Sequence, residues 1–358
     1  LPVILFGDGT ALVTPSNHEL AHKIGMQTQA SLPFYDLVIV GGGPAGLAAA
    51  VYGASEGLRT LMVEQDAPGG QAGTSSQIEN YLGFPSGVSG ADLARRATAQ
   101  ARRFGAELLS AQQVVAVRRD DPYRVVQLAD QSKVSCYAVI LAQGVAVRTL
   151  EVPGLRELIG IGVYYGAAMT EAATYRGQDV CVVGGANSAG QGALFFSRYA
   201  RRVTMLVRAE SLGDGLSRYL VDRIEATPNI AVHLGVEVTS VHGVRRLERV
   251  VTQDVRTREE RELDPAAMFI FIGSAPHTGM VAGLIELDDK GYVLTGPDLP
   301  RGSQGRPRGW TLDRDPFLFE TSVPGIFAVG DVRAGSGKRV AAAVGEGSAT
   351  VSMVHRYL

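Results

Sequence analysis

The sequence predicts an α/β protein built as two three-layer domains, and three observations carry that prediction. A β-rich run, a glycine cluster, a helix-forming run and a second β-rich run succeed one another at residues 35–64 and again at residues 179–208, which is a βαβ unit used twice. At 358 residues the chain has room for about two domains, each large enough to bury a core. Its 46% hydrophobic and 20% charged residues are the balance of a globular protein.

The same arithmetic excludes several classes. No apolar run approaches the roughly 18 residues of a membrane span, and the first residues lack the basic region and cleavage site of a secretory leader, so a cytoplasmic protein without a membrane partner is expected. A net charge of −2 gives no bulk attraction to nucleic acid. Cys136 and Cys181 are too few and too far apart for a disulfide framework or a metal site of paired cysteines, and no metal is expected. The chain opens on Leu1 rather than Met, which reads as a piece of a longer polypeptide.

In chain order, residues 1–6, the turn Asp8-Gly9-Thr10, a second short strand and a helix over residues 16–25 form an N-terminal segment. The first βαβ unit begins with the strand Tyr35-Asp36-Leu37-Val38-Ile39-Val40. Gly41, Gly43 and Gly46 then hold the G-x-G-x-x-G positions, where glycine permits a tight turn, close approach of the backbone to a pyrophosphate, and close helix packing. This is the Rossmann-like arrangement for a dinucleotide. Pro44 and Ala45 stand in the first helical turn, where a missing N–H costs nothing and the free N–H groups and helix dipole face phosphate. Glu64 ends the next strand, spaced to accept hydrogen bonds from ribose hydroxyls.

The second unit runs from Asp179-Val180-Cys181-Val182-Val183 through Gly184-Gly185-Ala186-Asn187-Ser188-Ala189 to a strand ending at Arg208. Ala186 replaces the middle glycine, and its methyl group crowds a pyrophosphate. Arg208 stands where the first unit has an acid, which favours a 2′-phosphate and hence NADPH over NADH; the alternative is a solvated face shared with Arg201, Arg202 and Arg218. A third strand-turn-helix passage closes the chain, with Gly330 and Asp331 at the end of its strand and a helix from about Val340. Asp331 is placed to accept from a polyol chain, and the helix dipole would face the charge that reduction puts on a flavin's pyrimidine end. Residues 296–314 read as an irregular surface loop, with a basic, aromatic nucleic-acid patch around Trp310 as the lesser reading.

In order and spacing, Gly41-Gly42-Gly43-Pro44-Ala45-Gly46, Gly69-Gly70-Gln71, Ile78-Glu79-Asn80-Tyr81, Ala142-Gln143-Gly144, Val152-Pro153-Gly154 and residues 184–189 and 325–331 resemble the thioredoxin reductase family of two-domain flavoproteins, over about residues 34–358. The resemblance implies an FAD-binding domain from residues 31–152 and 267–358, with an NAD(P)-binding-like domain of residues 153–266 inserted in it. It implies FAD and either NADPH or NADH as cofactors, and a homodimer. It sets Gly70, Gln71 and Asn80 around the isoalloxazine, Asp331 on the ribitol, and Arg339, Val340 and Ala341 at the pyrimidine edge, and it adds Gln65, Ala142, Gly144 and Gly330 to Glu64 among the FAD-binding residues.

The redox motif departs from the family. The C-x-x-C that precedes the second glycine turn in its disulfide reductases becomes Ala167 and Thr170, and neither residue can shuttle two electrons as a thiolate pair does. Glu171 follows where the family keeps an acidic proton donor, and His277 lies on a loop the family places near the active-site side; both are candidate general acids. Cys136 and Cys181, inside apolar strands, read as buried small hydrophobes. Residues 1–30 resemble the closing hairpin and helix of a thioredoxin-like domain, or else form an extension packed on the FAD domain. His355 and Tyr357 stand where C-terminal aromatics cover a partner's flavin in cysteine-free ferredoxin–NADP reductases of this fold.

The expected activity is FAD-dependent electron transfer from NAD(P)H to an external protein or small molecule rather than an internal disulfide. A ferredoxin-linked, one-electron flavoprotein and a non-catalytic FAD-bound sensor are the alternatives.

Overall fold

Val3–Leu5 (β1) and Ala11–Val13 (β2) pair antiparallel and lead into Asn17–Lys23 (α1). Reciprocal bonds open that helix: Ser16 Oγ accepts from the Glu19 N–H and the Glu19 carboxylate accepts from the Ser16 N–H. The computed structural model describes residues 3–75, 78, 81–165, 172, 174–302 and 305–358.

Phe34–Val40 (β3), Pro44–Ser55 (α2) and Thr60–Val63 (β4) form the first βαβ unit, followed by the single turn Gly70–Gly73 (α3), the helix Gly90–Arg103 (α4) and the strand Glu107–Leu109 (β5). Val114–Asp120 (β6), Tyr123–Leu128 (β7) and Lys133–Leu141 (β8) complete the first stretch. β5, β4, β3 and β8 pair in parallel, while β7 and β6 continue antiparallel from the first half of β8. β3 is apolar on both faces because both are covered: Leu37 and Ile39 pack among the helices, Val38 and Val40 against the β6–β7 layer.

After Val145–Val147 (β9) come Leu155–Leu158 (α5), Val163–Tyr165 (β10), Asp179–Val183 (β11), Asn187–Phe196 (α6), Arg202–Val207 (β12), Arg218–Glu225 (α7) and Ile230–Leu234 (β13). Val236–His242 (β14), Arg249–Asp254 (β15) and Glu260–Leu263 (β16) form an antiparallel meander, followed by Ala267–Ile270 (β17) and Ser274–Pro276 (β18). The parallel sheet runs β10-β17-β11-β12-β13. Val180 and Val182 face α6 and α7, whereas Cys181 and Val183 face the meander. Ile326–Ala328 (β19) then joins the second half of β8 in parallel, and Val340–Tyr357 (α8) closes the chain.

Two units result, Leu1–Ala146 with Ala275–Leu358, and Val147–Ser274. Their edges lie outside the 152/153 and 266/267 boundaries drawn from sequence because the flanking residues are tied into the second unit. The Arg148 N–H donates to the Gly273 carbonyl at 3.0 Å and the Leu150 N–H to Tyr165 Oη at 2.9 Å. The connecting strands β9 and β18 pair with each other.

In the first unit α2 and α8 pack closely, since a Cβ on Gly347 would collide with the Ala45 carbonyl. The end of α8 is held within its own unit. Buried Arg124 donates to the Pro324 carbonyl at 3.1 Å and to Tyr357 Oη at 3.3 Å, and His355 Nε2 lies 3.1 Å from Glu56, the C-cap of α2. Tyr357 is therefore a packing residue on Gly325 rather than a free terminal aromatic. The arginine loop is likewise internally committed. Trp310 is 8% exposed with Nε1 bonded to the Arg314 carbonyl, and Arg314 pairs at 2.7 Å with Glu320, which is fully buried. No helix among the described residues is long and apolar enough to cross a membrane.

Candidate functional site

The first glycine turn uses its three glycines for three different reasons. Gly41 has φ 102°, and a Cβ there would lie 2.6 Å from the Ala142 carbonyl oxygen. Gly46 sits in the first turn of α2, and a Cβ would run into the Gly41 carbonyl, so the helix can lie this close to its strand only without a side chain. Gly43 has ordinary extended backbone, and a Cβ would meet nothing within 4 Å. Its missing side chain leaves space open in front of the N-terminus of α2, which is the cradle a pyrophosphate requires.

That space belongs to a cavity of about 630 Å³ within the first unit. The expected residues Gly41, Gly43, Pro44, Ala45, Glu64, Gln65, Gly70, Gln71, Ala142, Gly144, Gly330, Asp331, Arg339 and Val340 line it, joined by His277. Gly46 serves the turn from beneath, Ala341 is exposed and outside the lining, and Asn80 lies outside the described residues. Two helix N-termini, of α2 and of α8, meet the cavity, each with unpaired N–H groups and a partial positive charge.

Sequence reasoning missed Asp66, Lys338 and, most usefully, Gln143. Gln143 Nε2 donates to the His277 carbonyl at 2.9 Å, while its Oε1 is buried with no partner. A buried amide oxygen left unpaired costs free energy, so a bound group with a donor at this wall would satisfy it. The signal was present in the Ala142-Gln143-Gly144 motif but points there only once β8 and the His277 loop are folded together.

Two carboxylates set the electrostatics. Glu64 Oε2 accepts from the Gly42 N–H at 2.6 Å and Oε1 from the Asp66 N–H at 2.9 Å. Burial nevertheless raises its pKa, against the pull of those N–H groups. Burial also raises Asp331, with Lys338 opposing and Glu346 adding to the rise. The turn holding Asp331 is fixed from α8: Glu346 accepts from the Gly330 N–H at 2.7 Å and pairs with Arg333 at 2.6 Å. The open cradle, the unpaired Gln143 oxygen and the buried acids fit a dinucleotide carrying a flavin.

The second turn is built differently. Gly184 has φ 138° and abuts the Phe271 carbonyl, but Ala186 occupies the position corresponding to Gly43. Asn187 Oδ1 accepts from the Ser217 N–H at 2.8 Å and from Ser217 Oγ at 3.0 Å, so this side chain is committed to holding the start of α7. Ser188 is exposed and Ala189 is buried against the sheet. A cavity of about 540 Å³ opens in this unit beside α7, and none of Gly184, Ala186, Asn187, Ser188, Ala189 or Arg208 lines it. Arg208 is exposed at the end of β12 with no ion pair among the described residues, whereas Arg201 pairs with Asp179 and Arg218 with Asp222.

Ala167, Thr170 and Glu171 lie outside the described residues. His277 is half-buried on the cavity wall. Both cysteines are sealed in strands, Cys136 in the first unit and Cys181 in the second, with burial pushing each thiol up to about 12.

Comparison with known proteins agrees with this construction. The chain is 35% identical over 324 residues to the thioredoxin reductase of Mycolicibacterium smegmatis, covering 90% of this chain and 96% of that protein. It is 32% identical over 345 residues to the bifunctional thioredoxin reductase/thioredoxin of Mycobacterium leprae, covering 96% and 68%. Its fold is similar to the crystal structure of Lactococcus lactis thioredoxin reductase in the FR conformation, with a TM-score of 0.74 and 29% identity over 90% of this chain and 98% of that one. Residues 35–347 match the pyridine nucleotide-disulphide oxidoreductase family. FAD and a pyridine nucleotide are the cofactors of such an enzyme, and with both glycine turns, the cradle at Gly43 and this match in place, the chain belongs to that family of oxidoreductases.

Proposed function

We propose that the chain draws electrons from NADPH or NADH and delivers them to an external acceptor, protein or small molecule, without a disulfide of its own. One observation carries this reading: the cofactor cavity is lined by no thiol, and the chain's two cysteines are buried in strands with their thiolates disfavoured. When bound, FAD supplies the electron-transfer chemistry.

The chain's own residues supply position and field. The N–H groups at Gly43 and Pro44's turn receive the pyrophosphate, Glu64 the ribose hydroxyls, Asp331 the ribitol, and the start of α8 at Arg339 and Val340 the pyrimidine edge. Gln143 Oε1 accepts from the bound group. His277 holds the wall through its carbonyl and brings an imidazole within the lining, where it is a candidate proton donor. The nicotinamide nucleotide would use the turn at Gly184, with Arg208 at its 2′-phosphate. The active species is a homodimer in this reading.

The test is an anaerobic titration of the purified protein with NADPH and then NADH, followed by oxidised thioredoxin. Bleaching of the flavin band by NADPH, with no thioredoxin turnover by this chain alone, is the expected result. Arg208→Gln should weaken NADPH about tenfold and NADH much less. Efficient thioredoxin reduction by this chain alone would overturn the proposal. Ala186 supports a second reading, in which the nucleotide turn is vestigial and electrons come singly from a ferredoxin-type protein. No calorimetric binding of either nucleotide would select it.

A further inference from the structure

We propose that Asn17, on α1, is a positioning residue for the adenosine end of the dinucleotide, acting through the turn that follows β4. The inference rests on the FAD reading of the cavity. Gln65 and Asp66 line that cavity and also a second one of about 530 Å³, whose wall includes Asn17 and His18. The turn is therefore a shared partition between the two.

Three ties run from the N-terminal segment into this partition. Asn17 Nδ2 donates to Asp66 Oδ1 at 3.1 Å, and the Asp66 N–H donates to Glu64 Oε1 at 2.9 Å. The carboxylate assigned to the ribose is thus aimed from α1 through one intermediate residue. The Asp66 carbonyl accepts from the Ala111 N–H at 3.2 Å, and the Ala111 carbonyl lies 3.2 Å from His18 Nδ1. Ala111 has φ 54°, a left-handed conformation that a non-glycine residue keeps only where its surroundings enforce it. Finally, buried Gln112 donates its N–H to the Glu64 carbonyl at 3.0 Å and its Nε2 to the Thr28 carbonyl at 3.1 Å.

Residues 17, 18 and 28 all lie outside the 35–347 span matched by the family. The segment thus ties residues before the matched span to the cofactor cavity. It acts at one end only, since Gln71, Asp331 and Val340 have no bond to it among the described residues.

The test uses the 358-residue chain stripped of flavin, with FAD and FMN binding read by fluorescence quenching and ADP as competitor. Asn17→Asp sets a carboxylate against Asp66 and should weaken FAD and ADP about tenfold, and FMN, which lacks the adenosine half, about twofold or less. Combining Asn17→Asp with Asp66→Asn re-forms the bond with donor and acceptor exchanged and should recover most of the loss. Equal weakening of FAD and FMN, or a fall in the ligand-free melting temperature that accounts for the lost affinity, would make Asn17 structural and overturn the proposal. Unchanged FAD binding overturns it as well. A wild-type chain that binds neither FAD nor ADP would instead overturn the cofactor reading itself.

Discussion

The turns at residues 41–46 and 184–189 follow one design and then diverge. In both, the first glycine is left-handed and lies against a carbonyl of a neighbouring strand end, Ala142 for Gly41 and Phe271 for Gly184. At the third residue Gly43 leaves open space, whereas Ala186 fills its own with a methyl group. After the second strand, a buried Glu64 bonded to two N–H groups contrasts with an exposed Arg208 that has no ion pair among the described residues. A recess that seals its acid suits a ligand retained through many turnovers. An open arginine beside a crowded turn suits one that arrives, is read by its charge, and leaves.

The sharpest break of this comparison is at the last position of each turn. Gly46→Ala should cost the first unit about 1–3 kcal/mol through collision with the Gly41 carbonyl and strip FAD from the protein on gel filtration. Ala189→Gly, which removes a methyl from a site already built for one, should cost about 1 kcal/mol or less. Equal shifts in melting temperature would mean that the two turns do not differ in packing.

A smaller and cleaner effect is expected at the third position. Gly43→Ala places its methyl in open space, so the ligand-free melting temperature should hold while FAD affinity falls about tenfold. Ala186→Gly should do the reverse and tighten NADPH about threefold by calorimetry. Loss of stability in Gly43→Ala would show that this glycine serves the fold rather than the ligand.

The smallest effect is electrostatic. Burial holds the Glu64 carboxyl above its ordinary 4.5, so between that value and the raised one the folded chain keeps a proton that the unfolded chain has released. Stability from this group is therefore fully present below about 4.5 and is lost as pH rises through the raised value. Glu64→Gln should flatten that part of the melting-temperature profile of the ligand-free protein, and an unaltered profile would show that Glu64 does not titrate there.

The repeated βαβ units and the three roles of Gly41, Gly43 and Gly46 were legible because they are local: strand periodicity and glycine at fixed spacing lie within a few residues of each other. What stayed hidden is non-local. Gln143 becomes informative only beside His277, Asn17 only beside Asp66, and Arg124 only beneath Pro324 and Tyr357. The arginines around Trp310 looked solvent-facing in a Pro/Gly-rich segment because sequence does not reveal that Glu320 waits, buried, to receive one of them. Asn187 was placed on the ligand by its position in the motif, yet its side chain is occupied by Ser217 across a loop whose conformation no local pattern specifies.

The pairing of β19 with β8 also orders events at the ribosome. Residues 147–274 are contiguous, so every strand of that unit has emerged before the first unit is complete. Until residues 326–328 arrive, Val139, Ile140 and Leu141 present a bare parallel edge, and Gly330, Asp331 and α8 are still missing from the cavity wall. FAD capture thus waits until residues 326–343 have emerged, and a nascent chain stalled before residue 326 would expose a sticky strand that only residues 326–328 can cover.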